Sequence, residues 1–159
     1  MEMREGQVVS ATKSPATVES MLSDLRILGV QPGATVLVHS SLTSIGWVSG
    51  GAVAVIRALA AAVGENGTLV MPTHSTDLTE PAKWSAPPVP ESWWETIRTT
   101  APAYDPDLTS TRGMGKIPEC FRKMKDALRS SHPHSSFCAY GAEAERVTDN
   151  HELAFGLGE

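Results

Sequence analysis

The side chains able to do chemistry are concentrated in four short segments of the chain. The first runs His39, Ser40, Ser41, Leu42, Thr43, Ser44, Ile45, Gly46 and continues through Trp47 and Val48 to Gly50 and Gly51. Small side chains let a ligand approach the backbone, hydroxyls offer hydrogen bonds, and a helix beginning after the glycine pair would present free N–H groups with a positive dipole. Such a loop can take a pyrophosphate or a pantetheine amide. Read locally, an ordinary glycine-rich connection from strand to helix is the simpler account. It matches neither G-x-x-x-x-G-K-[ST] nor G-x-G-x-x-G, and the nucleophile elbow G-x-S-x-G is missing from the chain.

The second segment, Met71 to Ser75, brings Thr73, His74 and Ser75 to the end of an apolar run, where open α/β sheets place ligands. The third, DPDLTSTRGMGKIPECFR from Asp105 to Arg122, combines the cations Arg112, Lys116 and Arg122 with the backbone freedom of Gly113 and Gly115, a set that suits a phosphate-bearing ligand. Its R-G-M-G-K-I stretch fails the R-x-x-G-x-[GA] loop of the common N-acetyltransferase superfamily at Ile117. The fourth, LRSSHPHSSFCAYG from Leu128 to Gly141, holds His132 and His134. With His74 and an acidic residue these could surround zinc, or with a serine form a hydrolytic pair, but H-x-H alone is a weak signal for either, and structural hydrogen bonding accounts for the histidines as well.

The elements that must position these segments follow from periodicity. Thr17 can cap a helix whose apolar stripe is Val18, Met21, Leu22, Leu25 and Leu28, with Gly29 at its end. Ala34 to His39 reads as a buried strand, Ala52 to Val63 as a helix, and Thr68 to Met71 as a second strand. Strand, helix and strand of this length predict a parallel pair in an α/β fold. The proline- and tryptophan-rich stretch from Pro72 to Arg112 reads as a long ordered loop with one short helix over Glu91 to Arg98. A helix is expected from Pro118 to Met124, a strand from Ser136 to Tyr140, and a last helix from Ala142 to Val147. Residues 1–13 lack periodicity and are expected to be a flexible leader, with residues 14–159 forming one domain.

Composition bounds the function. Lys plus Arg number 13 against 18 Asp plus Glu, for a formal charge of -5. That balance disfavours nucleic acid and anionic membrane as partners and suits a cationic small molecule. No apolar run reaches membrane-spanning length and MEMREGQ lacks the apolar stretch of a signal peptide, so a cytoplasmic location is expected. Cys120 and Cys138 form no C-x-x-C pair.

Taken together, LGVQPGATVLVHSSLTSIGWVSGG, GTLVMPTHS, PPVPESWWETIR, PAYDPDLTSTRGMGKIPECFR and LRSSHPHSSFCAYG resemble, in that order, the antibiotic N-acetyltransferase family that modifies aminoglycosides at the 3-amino group. The resemblance spans Leu28 to Gly141. It implies a three-layer α/β/α sandwich, incomplete at the C-terminus, with acetyl-CoA as donor, an aminoglycoside as acceptor and no metal. Carried over by motif, it implies donor contacts from Ser40, Ser41, Leu42, Gly46, Val48, Thr73, Ser75, Ser110, Arg112, Gly113 and Pro118. It places Trp84, Glu91, Trp94, Tyr104 and Asp105 around the sugar site. Family members continue past the sequence LGE with a His-x-x-Glu motif that supplies the candidate base and its orienter, and no such motif occurs in these 159 residues. His132 is the first substitute. The expected reaction is direct acetyl transfer in a ternary complex. A CoA- or drug-binding homologue without turnover and a zinc hydrolase are the rival readings, and an incomplete sheet would favour self-association.

Overall fold

A computed structural model describes residues 5–154 of the chain. Within the stretch expected to be a flexible leader, residues 5–11 form helix α1 (Glu5–Ala11). Its polar sequence hides a single anchoring side chain, Val8, which is buried, and the helix is short enough that no apolar stripe marks it. Met1 to Arg4 of that expected leader lie outside the described residues, as do Phe155 to Glu159.

Helix α2 (Val18–Ile27) starts where Thr17 predicts. The Ser20 N–H donates to Thr17 Oγ1 at 3.2 Å and the Thr17 N–H donates to Ser20 Oγ at 2.9 Å, so two end donors of the helix are satisfied reciprocally. Val18, Met21 and Leu25 turn inward against the core, whereas Leu28, expected on the same stripe, caps the helix and is exposed. Strand β1 (Thr35–Leu37) is shorter than its β-branched run suggests. The following loop contains a one-turn helix, α3 (Leu42–Ile45), before α4 (Gly51–Val63). Helix α4 buries Ala54, Val55, Ile56, Ala58, Leu59, Ala62 and Val63, and it supplies the crossover to β2 (Thr68–Pro72), every residue of which is buried.

The long loop carries three single 3₁₀ turns, the last of them (Glu91–Trp93) leading into α5 (Trp94–Thr100). Helix α6 (Lys116–Phe121) begins two residues before Pro118, which sits in its first turn, where a missing N–H costs nothing. A two-residue strand β3 (Leu128–Arg129), not foreseen from sequence, forms an antiparallel pair with β4 (Phe137–Gly141), and α7 (Ala144–Thr148) follows.

The sheet order is β1-β2-β4-β3. β1 and β2 are parallel, as predicted, with Thr35 opposite Thr68, while β4 runs antiparallel to β2 with Val70 opposite Ala139. Alternation then divides the core. Leu69, Met71 and Cys138 face α4 and α6, and Val70 and Ala139 face Ala144 of α7. Helices therefore cover both faces of a mixed sheet, giving the α/β/α layering. No helix among the described residues is long and apolar enough to cross a membrane.

Candidate functional site

A cavity of about 520 Å³ opens at the carboxyl end of β1. Of the residues expected to contact the donor, Ser40, Ser41, Leu42, Gly46, Val48 and Gly113 line it. The local sequence explains why. Gly50 and Gly51 take positive φ, 87° and 56°, which turns the chain sharply into α4 and leaves Gly51 and Ala52 of its first turn facing the cavity. The free N–H groups and positive dipole of a 13-residue helix therefore act there. Lys116, the first residue of α6, lines the same space. Val8, Trp47 and Val48 give it apolar walls. Ser40 Oγ is buried and has no hydrogen-bond partner, a polar atom left over beside the cavity.

The remaining expected donor residues, Thr73, Ser75, Ser110, Arg112 and Pro118, do not line this cavity. They knit the end of β2 to the segment that follows the long loop. Ser75 Oγ donates to the Ser110 carbonyl at 2.8 Å, and the Arg112 N–H donates to the His74 carbonyl at 2.9 Å. The Arg112 guanidinium is paired with Asp77, and Pro118 is buried. At the centre of this seam stands Arg129, which sequence reasoning assigned no role. Its guanidinium donates to the carbonyls of Thr73, Thr109 and Pro106, to Ser75 Oγ and to Ser136 Oγ, and it lies 5.2 Å from the centre of the Tyr104 ring. A fork of fixed donors meeting this many carbonyls is a task for arginine that lysine cannot perform. Its only trace in the sequence is a lone arginine beside Leu128 in the segment LRSSHPHSSFCAYG.

The five residues expected around the sugar fall into two groups. Trp84, Glu91 and Trp94 belong to the long loop and the start of α5, where Trp84 Nε1 donates to Thr79 Oγ1 at 2.9 Å. Arg98 lies 5.9 Å from the centre of the Trp94 ring and pairs with Glu80 at 2.6 Å. Tyr104 and Asp105 sit at the Arg129 seam: the Tyr104 hydroxyl donates to the Ser130 carbonyl at 2.9 Å, and Asp105 Oδ1 accepts from the N–H groups of Asp107 and Leu108, both at 2.8 Å. None of the five lines the cavity beneath α4. Trp94 Nε1 is buried without a partner.

The histidines converge at the carboxyl end of β2. The His74 ring lies 6.3 Å from that of His134, His132 lies 6.4 Å from His134, and His132 lies 4.7 Å from His151, which sequence reasoning did not single out. His132 Nδ1 accepts from the N–H groups of His134 and Ser135, at 3.1 and 2.9 Å. The neutral ring therefore carries its proton on Nε2 and offers a donor there, the wrong polarity for a base acting at that nitrogen. Burial pushes the His74 pKa down, and the neighbouring His134, His39, His132 and His151 push it the same way. Among the described residues no group of three or more His, Cys, Asp or Glu is placed to hold a metal ion.

Comparison with known proteins adds an independent line. Residues 37–159 match the family model described as aminoglycoside 3-N-acetyltransferase. The chain is 52% identical over 154 residues to the SPbeta prophage-derived aminoglycoside N(3')-acetyltransferase-like protein YokD of Bacillus subtilis, covering 96% of this chain and 57% of that protein. It is 39% identical over 152 residues to aminoglycoside N(3)-acetyltransferase VIII of Streptomyces fradiae, covering 94% and 51%. The crystal structure of YokD superposes with a TM-score of 0.92 at 50% identity over 96% of this chain and 57% of that one. AAC-IIIb in binary complex with CoASH gives 0.75 at 33% identity over 88% and 51%, and AAC-VIa bound to sisomicin gives 0.74 at 31% identity over 87% and 51%. The chain spans about half the length of the curated relatives it matches. On the matched segment, the shared fold and these identities, the chain belongs to the aminoglycoside 3-N-acetyltransferase family.

Proposed function

We propose that the protein serves acetyl transfer from acetyl-CoA to the 3-amino group of an aminoglycoside, directly and within a ternary complex. The observation that carries this reading is the cavity in which the N-terminus of α4 and Lys116 meet apolar walls. An anionic phosphate suits the helix end and the cation, and an uncharged pantetheine chain suits Val8, Trp47 and Val48. Family membership supports the same donor, since a relative of this fold binds CoASH and another binds sisomicin. On this reading Ser40, Ser41, Leu42, Gly46, Val48 and Gly113 touch the donor. Thr73, Ser75, Ser110, Arg112 and Pro118 border it from the seam, and Trp84, Glu91, Trp94, Tyr104 and Asp105 flank the acceptor.

In the reaction the amine nitrogen attacks the thioester carbonyl carbon, the carbon–sulfur bond breaks, and the thiolate leaves with the electron pair. The amine must first lose a proton, so a general base contributes much of the rate, and N–H donors must hold the carbonyl oxygen as it becomes anionic. The resemblance puts the base in a His-x-x-Glu motif that is absent from these 159 residues. A second reading, binding of CoA or the drug without turnover, is favoured by His132, whose Nδ1 already accepts two backbone N–H groups and so leaves no acceptor at Nε2. Calorimetry with CoA tests the donor site common to both. Wild-type chain should bind, and Lys116→Ala should lose about 1.5 to 3 kcal/mol, the worth of a charge-assisted hydrogen bond. Arg112→Ala should lose less, because Asp77 already holds Arg112. A wild-type chain that takes up no CoA would remove the donor reading altogether.

A further inference from the structure

Helix α1 precedes the segment matched by the family model, yet Glu5 and Val8 line the donor cavity opposite the N-terminus of α4. One side chain connects that helix to the cavity loop. Thr12 Oγ1 donates to the Val8 carbonyl at 2.7 Å, closing the last turn of α1, and accepts from the Trp47 N–H at 2.9 Å. Beside it the chain reverses at Gly46, φ 98°, where an added Cβ would meet Thr12 Oγ1 at 3.0 Å. The following residues are laced to the same N-terminal segment: the Ala16 N–H donates to the Trp47 carbonyl and the Ser49 N–H to the Ala16 carbonyl, both at 2.9 Å. Gly46, Trp47 and Val48 are the stretch that forms one wall of the cavity. The wall is thus held from outside the loop, and at the Trp47 amide the hold is a hydroxyl.

We propose that Thr12 is a positioning residue for the donor: its hydroxyl ties α1 to the Gly46–Val48 wall, so that both close on the cavity in one geometry and set its affinity for CoA. The ligand named here rests on the reading of the cavity as the donor site. A backbone amide with its acceptor removed leaves the wall free to move, and no other described hydrogen bond holds that N–H. Serine preserves both bonds of the hydroxyl; valine keeps the size and removes both.

The test compares wild type, Thr12→Ser and Thr12→Val, reading the dissociation constant for CoA by calorimetry and exchange of the Trp47 amide by NMR in the ligand-free chain. Thr12→Ser should bind within about twofold of wild type, whereas Thr12→Val should bind about fivefold more weakly, the loss of one net hydrogen bond. Trp47 exchange should accelerate in Thr12→Val and not in Thr12→Ser. A change in packing alone would weaken Thr12→Ser, which loses the methyl, rather than the nearly isosteric Thr12→Val, and weakening of Thr12→Ser equal to or greater than that of Thr12→Val would overturn the role of the hydroxyl. Equal Trp47 exchange in all three chains would overturn it whatever the cavity binds. A wild-type chain that does not bind CoA while the exchange difference persists would overturn the donor reading and the ligand named here, and would leave the tie between α1 and the wall supported.

Discussion

His74 is the residue at which pH should act most directly. It sits among His134, His39, His132 and His151, with the edge of its ring contact on Phe137 at 5.7 Å, and both burial and those neighbours lower its pKa below the ordinary 6.5. The folded chain therefore binds this proton less readily than the unfolded chain. Its contribution to stability is complete above pH 6.5 and is lost as pH falls below that value toward the folded pKa. Urea unfolding between pH 7.5 and 5 should show wild type losing more stability on acidification than His74→Gln, and parallel curves would remove His74 from the effect. The two cysteines should also separate. Cys138 lies in the β4 pairing with no exposed surface, and burial pushes its thiol up to about 12, so it stays protonated and shielded, whereas Cys120 is half-buried on α6. Alkylation at pH 8 should modify Cys120 first and reach Cys138 only in denaturant, as peptide mass mapping would show.

At the scale of the element, the hinge between the sheet and α7 is the sharpest constraint. Gly141 ends β4 at φ 119°, and a Cβ there would collide with the Gly67 carbonyl oxygen. The same carbonyl accepts from the Ala142 N–H at 3.1 Å, which fixes the exit of the chain toward α7. Gly141→Ala should cost roughly 2 to 5 kcal/mol, combining backbone strain with overpacking, and a chemical-denaturation midpoint close to wild type would show that the turn relaxes freely. The elements differ in how openly the sequence announces them. Thr17 marks the start of α2 as a cap, and the Ala-rich run of α4 needs no tertiary support to be recognised. Strand β3 is invisible because two residues cannot display alternation; it exists because β4 pairs with it and Arg129 is clasped from five sides. Helix α1 escaped notice because one buried valine in seven residues makes no stripe.

For the whole molecule, the consequence lies at the β1 edge. Parallel strands rich in valine and leucine are usually buried on both faces, and β2 is, but Leu37 of β1 is 54% exposed, with Ile27 and Leu28 at the end of α2 at 80% and 79%. An open apolar edge invites pairing. The 159-residue chain is therefore expected to self-associate as its concentration rises, and sedimentation showing a monomer throughout the micromolar range would contradict this. Acetyl transfer that relies on His132 as base is expected to be slow, because its Nδ1 is already engaged by two backbone N–H groups and a misplaced base costs about 100- to 10,000-fold. Turnover at roughly 1 per second or faster, followed as thiol release from acetyl-CoA with an aminoglycoside present, would show that these residues supply the base themselves.

The sequence by itself determined the α/β class, the parallel β1–β2 unit and the family. Each depends on short-range information: caps, periodicities and ordered motifs whose spacing survives without coordinates. It also located half of the cavity, because the Ser40 loop and the start of α4 are consecutive in the chain. Only the tertiary structure decided which distant groups join them. Lys116 reaches the cavity because α6 packs against α4, Arg112 turns instead to Asp77, and α1 folds back through Thr12 onto Trp47. A cation's type and neighbourhood in sequence do not say which carboxylate or cavity lies within reach of its side chain; that follows from packing between elements far apart along the chain, which no local pattern encodes.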